Sequence, residues 1–255
     1  ASADQLRLGQ PGTGFFAAAS EPVSTIDPAA FASLFLRTGT GSFTALPTNL
    51  NGRIAERLVL SAPAGTIGGG AGTPLDLAPV LAAGSILTLE ATDVDAASTR
   101  TGAGSGGNLI LADFFSTGAV PTAIGSAAAN RATSGAYRFS LGSGTLRSAT
   151  ATTVAGDRIT AGTIDLEVLG GQIGTGASDT VKTASVRGAG NTLGTTALTL
   201  RGTNVHVTHA DGSVVLSSSG NLANGPSGRY FLDVTGTQTG PTAFADLTGG
   251  PITAS

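Results

Sequence analysis

Short runs of alternating apolar and polar residues recur along the whole chain. Leu87-Thr88-Leu89, Ile164-Asp165-Leu166-Glu167-Val168 and Leu198-Thr199-Leu200 each set their aliphatic side chains on one face of an extended segment. Stretches of Gly, Ser, Thr, Asn and Asp separate these runs, as turns separate strands. The alternation predicts strands at 57–60, 86–91, 109–111, 137–141, 164–168, 197–200, 205–207, 214–216 and 230–234. Helix signals are sparse. Asp27-Pro28-Ala29-Ala30-Phe31 offers a cap and a first-turn proline, but Arg37-Thr38-Gly39-Thr40-Gly41 ends it, so at most a short helical turn is expected near the N-terminus. The run Ala127-Ala128-Ala129 is a weaker signal. Without helices between the strands, doubly wound and barrel α/β folds are excluded and the chain reads as all-β.

One motif occurs twice. Leu58-Val59-Leu60 through Gly65-Thr66-Ile67-Gly68 to Leu75 aligns without a gap on Ile164-Asp165-Leu166 through Gly171-Gln172-Ile173-Gly174 to Val181. Each copy is an alternating strand, a glycine turn, an isolated isoleucine and a second glycine turn, the signature of stacked copies of one small unit. An isoleucine inside a turn suits a coil that bends inward and continues in the same sense. Each side chain is then expected above its counterpart one coil earlier. A β-sandwich would need hairpin dipeptides at regular intervals, and only Asn51-Gly52, Asp211-Gly212 and Asn224-Gly225 qualify. Of these, Asp211-Gly212 predicts a local hairpin between 205–207 and 214–216.

The two copies, with Ala123-Ile124-Gly125 and Thr192-Leu193-Gly194 as less regular relatives, resemble the coils of filamentous-haemagglutinin-type exoproteins and related large bacterial adhesins. The resemblance covers about half the chain. It implies a right-handed parallel β-helix exported to the bacterial surface, with a role in attachment or in a stalk or fibre. One departure concerns export, because the Asn-Pro-Asn-Gly motif of a two-partner secretion module is represented only by Asn49-Leu50-Asn51-Gly52. Coils of about 20–25 residues at the ~4.8 Å strand spacing would make roughly ten to twelve levels and a rod on the order of 50 Å long. Residues 1–56 are expected to form an irregular cap or first coils, 57–235 the solenoid body, and 236–255 a C-terminal extension or a link to a neighbouring chain.

Composition sharpens this picture. Charged residues are only 11% against about 25% in an average soluble protein, yet 40% are hydrophobic, enough to bury a core. Ala, Val, Leu and Ile dominate, with no Trp, which suits narrow repetitive β-layers. The net charge is −3, and twelve arginines and the single Lys182 are scattered one at a time, which argues against nucleic acid. No uninterrupted apolar run of about 18 residues is present, so no membrane insertion is expected. There is no cysteine, which removes disulfides, zinc-cysteine sites and thiol nucleophiles together. An opening at Ala1 with no signal-like segment suggests a processed product or an internal fragment.

Candidate chemistry is thin. Asp165 and Glu167, two apart in a strand, face the same side; such outward carboxylates line the groove of some β-helical polysaccharide enzymes, and otherwise solubilise a face. Glu90, Asp93 and Asp95 form an oxygen-only group suited to Ca2+, and Asp93, Asp95, Phe114 and Phe115 sit in the loops expected to be displayed. No other cofactor is implied. A Gly-Gly-x-Gly-x-Asp calcium repeat is tested at Gly69-Gly70-Ala71-Gly72-Thr73 and fails at Pro74. Gly102-Ala103-Gly104-Ser105-Gly106-Gly107 fits a dinucleotide pattern but precedes a strand, so it reads as a loop. His206 and His209, three apart, fall on opposite faces of a strand. The sequence therefore leads to a non-enzymatic, secreted or cell-surface structural β-solenoid, part of an adhesin or fibre. Its expected partners are glycans or proteins of a host or neighbouring cell, and copies of itself. The rivals are a β-helical polysaccharide lyase or tailspike-like hydrolase, and a β-sandwich surface-array or filament subunit.

Overall fold

The computed structural model describes residues 5–10, 13–16, 33–38, 41–46, 57–78, 80–81, 84–98, 109–111, 129–148, 158–176, 178–216, 229–235, 243–244 and 252–254. The expected helical turn at 27–31, the loop glycines 102–107 and the candidate residues Phe114 and Phe115 lie outside them.

The described residues hold eighteen strands and no α-helix. In chain order they are β1 (Gln5–Gln10), β2 (Thr13–Phe16), β3 (Ser33–Arg37), β4 (Arg57–Ile67), β5 (Leu75–Asp76), β6 (Ile86–Ser98), β7 (Leu109–Leu111), β8 (Arg131–Ala132) and β9 (Ala136–Ser148). There follow β10 (Ile159–Thr160), β11 (Thr163–Ile173), β12 (Val181–Ala184), β13 (Thr195–Arg201), β14 (Asn204–His209), β15 (Ser213–Leu216), β16 (Arg229–Val234), β17 (Ala243–Phe244) and β18 (Ile252–Ala254). A single 3-10 turn spans Ala189–Asn191.

Pairings link all eighteen into one large sheet, and they are overwhelmingly parallel. β4 pairs with β6, β6 with β9, β9 with β11, β11 with β13 and β13 with β15, each in the same direction. Antiparallel pairing between strands is confined to β1 with β2 and β1 with β3, at the N-terminal end. This is compatible with a β-helix or solenoid. At the other end β17 and β18 continue the parallel pairing, on β15 and β16.

Register turns the alternating pattern into columns. Ile67, Val94, Tyr137, Ile164, Leu198 and Leu216 succeed one another across five pairings, and all six are buried. Leu146, Ile173 and Val205 form a second buried column. Each aliphatic side chain so enclosed contributes about 1.5–3 kcal/mol relative to exposure, which makes the columns the main source of stability. Most polar groups inside are paired, with Asp95 Oδ2 among the exceptions in the described residues. Asn130 accepts from the Leu89 N–H at 3.0 Å and the Tyr137 hydroxyl at 2.9 Å, and donates to the Leu87 carbonyl.

The duplicated motif has a physical reason. A Cβ on Gly65 would lie 1.9 Å from the Gly41 carbonyl oxygen, and one on Gly171 would lie 1.8 Å from that of Gly144. At both corners the backbone of the preceding level comes too close for any side chain. The motif nonetheless marks a corner and not a level. Ile164, which aligns in sequence with Leu58, stands in the column of Ile67, while Leu58 faces Leu87. The two copies thus occupy different columns, while each inward side chain of a column does stand on its counterpart one level earlier.

Two further expectations are corrected. The hairpin across Asp211-Gly212 is absent: β14 pairs with β12 and β16 and β15 with β13 and β17, all parallel, so the turn is a corner between strands that pair with other levels and not with each other. Repeats of 20–25 residues are exceeded along much of the chain, since 43 residues separate Val94 from its partner Tyr137 and 34 separate Ile164 from Leu198. Hydrophobic periodicity fixes what faces inward but not how much chain leaves the sheet between levels.

Candidate functional site

Along β6, β9, β11 and β13 the outward positions bring charged residues side by side at the strand spacing. Asp95 stands in register with Arg138, and Arg138 with Asp165. One level on, the Arg201 guanidinium forks between two carboxylates, with Nη2 2.8 Å from Asp165 Oδ1 and Nε 3.1 Å from Glu167 Oε1. Glu167 also accepts from Ser140 Oγ at 3.3 Å. Burial raises the Asp165 carboxyl above the usual carboxylate range, with Arg201 opposing the shift.

The three residues expected to suit Ca2+ are placed separately. Glu90 is buried, accepts from Ser61 Oγ at 2.7 Å and is held by the Nε and Nη2 of Arg131. Asp93 accepts from the Ala136 N–H at 2.7 Å and from Arg138, a fold that requires glycine at 135, where a Cβ would lie 2.3 Å from Asp93 Oδ1. Asp95 is buried, and among the described residues its Oδ2 has no hydrogen-bond donor. Desolvation raises its pKa, opposed by the charge of Arg138 and a backbone hydrogen bond from Gly72. Among the described residues, no three His, Cys, Asp or Glu side chains gather as a metal-holding group. An arginine one level away answers Glu90 and Asp93.

The described residues also enclose a cleft of about 650 Å³. It crosses the levels of β8, β10 and β12 and the turn before β15, and Arg131, Arg158, Arg187, Asp211 and Ser185 line it. Arg158 Nη1 lies 3.1 Å and Arg187 Nη2 3.4 Å from the same oxygen, Asp211 Oδ2. Sequence reading found only scattered basic residues. The available signal was their spacing: 27 residues from Arg131 to Arg158 and 29 from Arg158 to Arg187, close to one level of the stack each time.

Behind Ser185 lies a buried polar chain. Thr196 Oγ1 donates to the Ala161 carbonyl at 3.0 Å and meets Ser185 Oγ at 2.8 Å, while Ser185 Oγ also reaches the Ser213 carbonyl at 3.4 Å. His209 sits between two hydroxyls, with Nε2 3.2 Å from Ser185 Oγ and Nδ1 2.9 Å from Thr183 Oγ1. A neutral imidazole supplies one donor and one acceptor to this pair. Burial lowers the His209 pKa to about 4, with the Asp211 backbone carbonyl and carboxylate opposing and Arg158 assisting. His206 points to the other face, its ring 6.0 Å from that of Phe231, as the separation of three predicts.

No family model, curated protein or solved structure matches this chain. Among the described residues, no helix is long and apolar enough to cross a membrane.

Proposed function

We propose that this chain is a segment of a secreted or cell-surface structural β-solenoid, a right-handed parallel β-helix that works as a stiff rod in a bacterial adhesin or fibre. The observation that carries the reading is the Ile67–Val94–Tyr137–Ile164–Leu198–Leu216 column, in which one buried position is repeated through successive parallel strands. Crossover connections between parallel strands are right-handed in about 98% of cases, which supports the hand. Parallel pairing also weighs against a β-sandwich array subunit, whose sheets are built from antiparallel strands. A continuously hydrogen-bonded stack resists proteolysis and shear. Its terminal strand edges invite pairing with a further copy, and its loops meet a glycan or protein on a neighbouring surface.

The test is a low-resolution particle map with limited proteolysis alongside. A rod whose width matches one coil, resistant to protease through 57–235, supports the reading. A compact ellipsoid of two facing sheets overturns it.

A second reading, a polysaccharide lyase or hydrolase, draws on Asp165, whose raised carboxyl stands beside Glu167 and Arg201 on an outward face. On an acidic and neutral glycan panel it predicts chain cleavage that Asp165→Asn with Glu167→Gln abolishes. The solenoid reading predicts no cleavage by either protein.

A further inference from the structure

We infer that the cleft lined by Arg131, Arg158 and Arg187 is a binding site for a compact oxyanion, a phosphate, sulfate or carboxylate group, free or carried on a larger molecule. The site is independent of the rod reading, because it rests on local charge and geometry.

Among the described residues, three guanidiniums line the cleft against one carboxylate, Asp211. Counting Glu90, which answers Arg131 from outside the lining, the group still holds an excess positive charge, in a chain whose net charge is −3. An anion therefore finds here a sign opposite to that of the molecule as a whole. Asp211 does not cancel the pair it touches. Its Oδ2 accepts from both Arg158 and Arg187 and so holds two like charges side by side. Each guanidinium carries five N–H donors. Arg158 spends one on Asp211, and Arg187 spends one on Asp211 and one on Asn191 Oδ1 at 3.2 Å. Among the described residues the other donors of Arg158 and Arg187 have no acceptor, and a guanidinium's paired N–H groups suit the forked recognition of oxyanions.

The arrangement is built, not incidental. Asn191 is the one non-glycine residue with positive φ among the described residues, at 62°, and its side chain holds Arg187. Asparagine tolerates this left-handed conformation better than most residues. The Ser185 N–H binds the Asp211 carbonyl at 2.9 Å, which fixes the turn that carries the shared carboxylate. That turn needs Gly212, with φ at 94° and a Cβ position 2.3 Å from Ser185 Oγ. Small side chains, Ala129, Ala132 and Ala184, leave the volume open, and the hydroxyls of Thr133 and Thr160 add polar lining.

The test is calorimetric titration of the full chain with inorganic phosphate at low ionic strength, with sulfate, acetate and chloride as parallel arms. Glucose 6-phosphate and glucuronate distinguish a carried group from a free ion. Saturable binding of at least one oxyanion is expected, and Arg158→Gln or Arg187→Gln should weaken it roughly tenfold or more. Arg201→Gln, outside the cleft, should bind as the parent does. Arg187 is half-exposed, so its variant keeps the test usable should Arg158→Gln fail to fold. Absence of saturation by every oxyanion, an equal response to chloride, or unchanged affinity in Arg187→Gln would overturn the proposal.

Discussion

His209 Nε2 lies 3.2 Å from Ser185 Oγ, and through that contact a buried imidazole is tied to the wall of the arginine-lined cleft. The contacts from Thr183 through His209 and Ser185 to Thr196 close the ring off from water, and that burial favours the neutral imidazole over the protonated one.

The first prediction concerns acid stability. The His209 pKa is about 4 in the fold against 6.5 ordinarily, so above pH 6.5 the folded and unfolded states hold the same number of protons on it. As pH falls from 6.5 to 4 the unfolded chain gains a proton that the fold refuses, and stability drops by roughly 3 kcal/mol before levelling. Denaturant unfolding at half-unit pH steps measures this. Folded His209→Gln should lose that slope, and a parent curve flat between pH 6.5 and 4 would contradict the assignment.

Two glycines make a controlled pair. Gly171→Ala drives a Cβ to 1.8 Å from the Gly144 carbonyl oxygen, backbone against backbone, and should cost about 3 kcal/mol or prevent folding. Gly176→Ala meets nothing within 4 Å and should shift stability by about 0.5 kcal/mol at most. Thermal unfolding of the two variants side by side is the check.

Asp95→Asn should stabilise the protein at neutral pH. With its pKa raised in the fold, Asp95 favours folding most below its unfolded pKa of 3.8, and that advantage is lost as pH rises through the folded value. Arg138 keeps Asp93 as a partner in the variant. The expected result is a higher Tm at pH 7 and no gain at pH 3.

Arg201→Gln leaves Asp165 and Glu167 side by side with Arg138, one level back, as the remaining neighbouring cation. The two side chains are each about a quarter exposed, so screening limits the cost to about 1 kcal/mol at pH 7. The cost should be smaller at pH 3, where Asp165, its pKa raised by burial, has taken up a proton. Equal destabilisation at both pH values would mean that Arg201 acts by packing alone.

Much of the sheet was legible beforehand because strand alternation is a local property. Ile164, Leu166 and Val168 are buried while Asp165 and Glu167 face outward, as the period of two requires. The glycine corners were legible too, since Gly65 and Gly171 answer a backbone approach that no other residue survives. The candidate site was far less legible. Asp165 and Glu167 could be placed on one face, but Arg201, their partner, lies 34 residues beyond Glu167 and meets them only through the pairing of β11 with β13.

The sequence by itself determined that the chain is all-β, where its corners bend and which side chains are enclosed, because pleat and glycine geometry are written residue by residue. Tertiary structure alone decided which levels are neighbours: that Ile164 continues the column of Ile67 and not that of Leu58, and that Arg131, Arg158 and Arg187 share one cleft. The physical reason is that register depends on how much chain runs between one level and the next, from 43 residues between Val94 and Tyr137 to 18 between Leu198 and Leu216, and no local preference encodes that length.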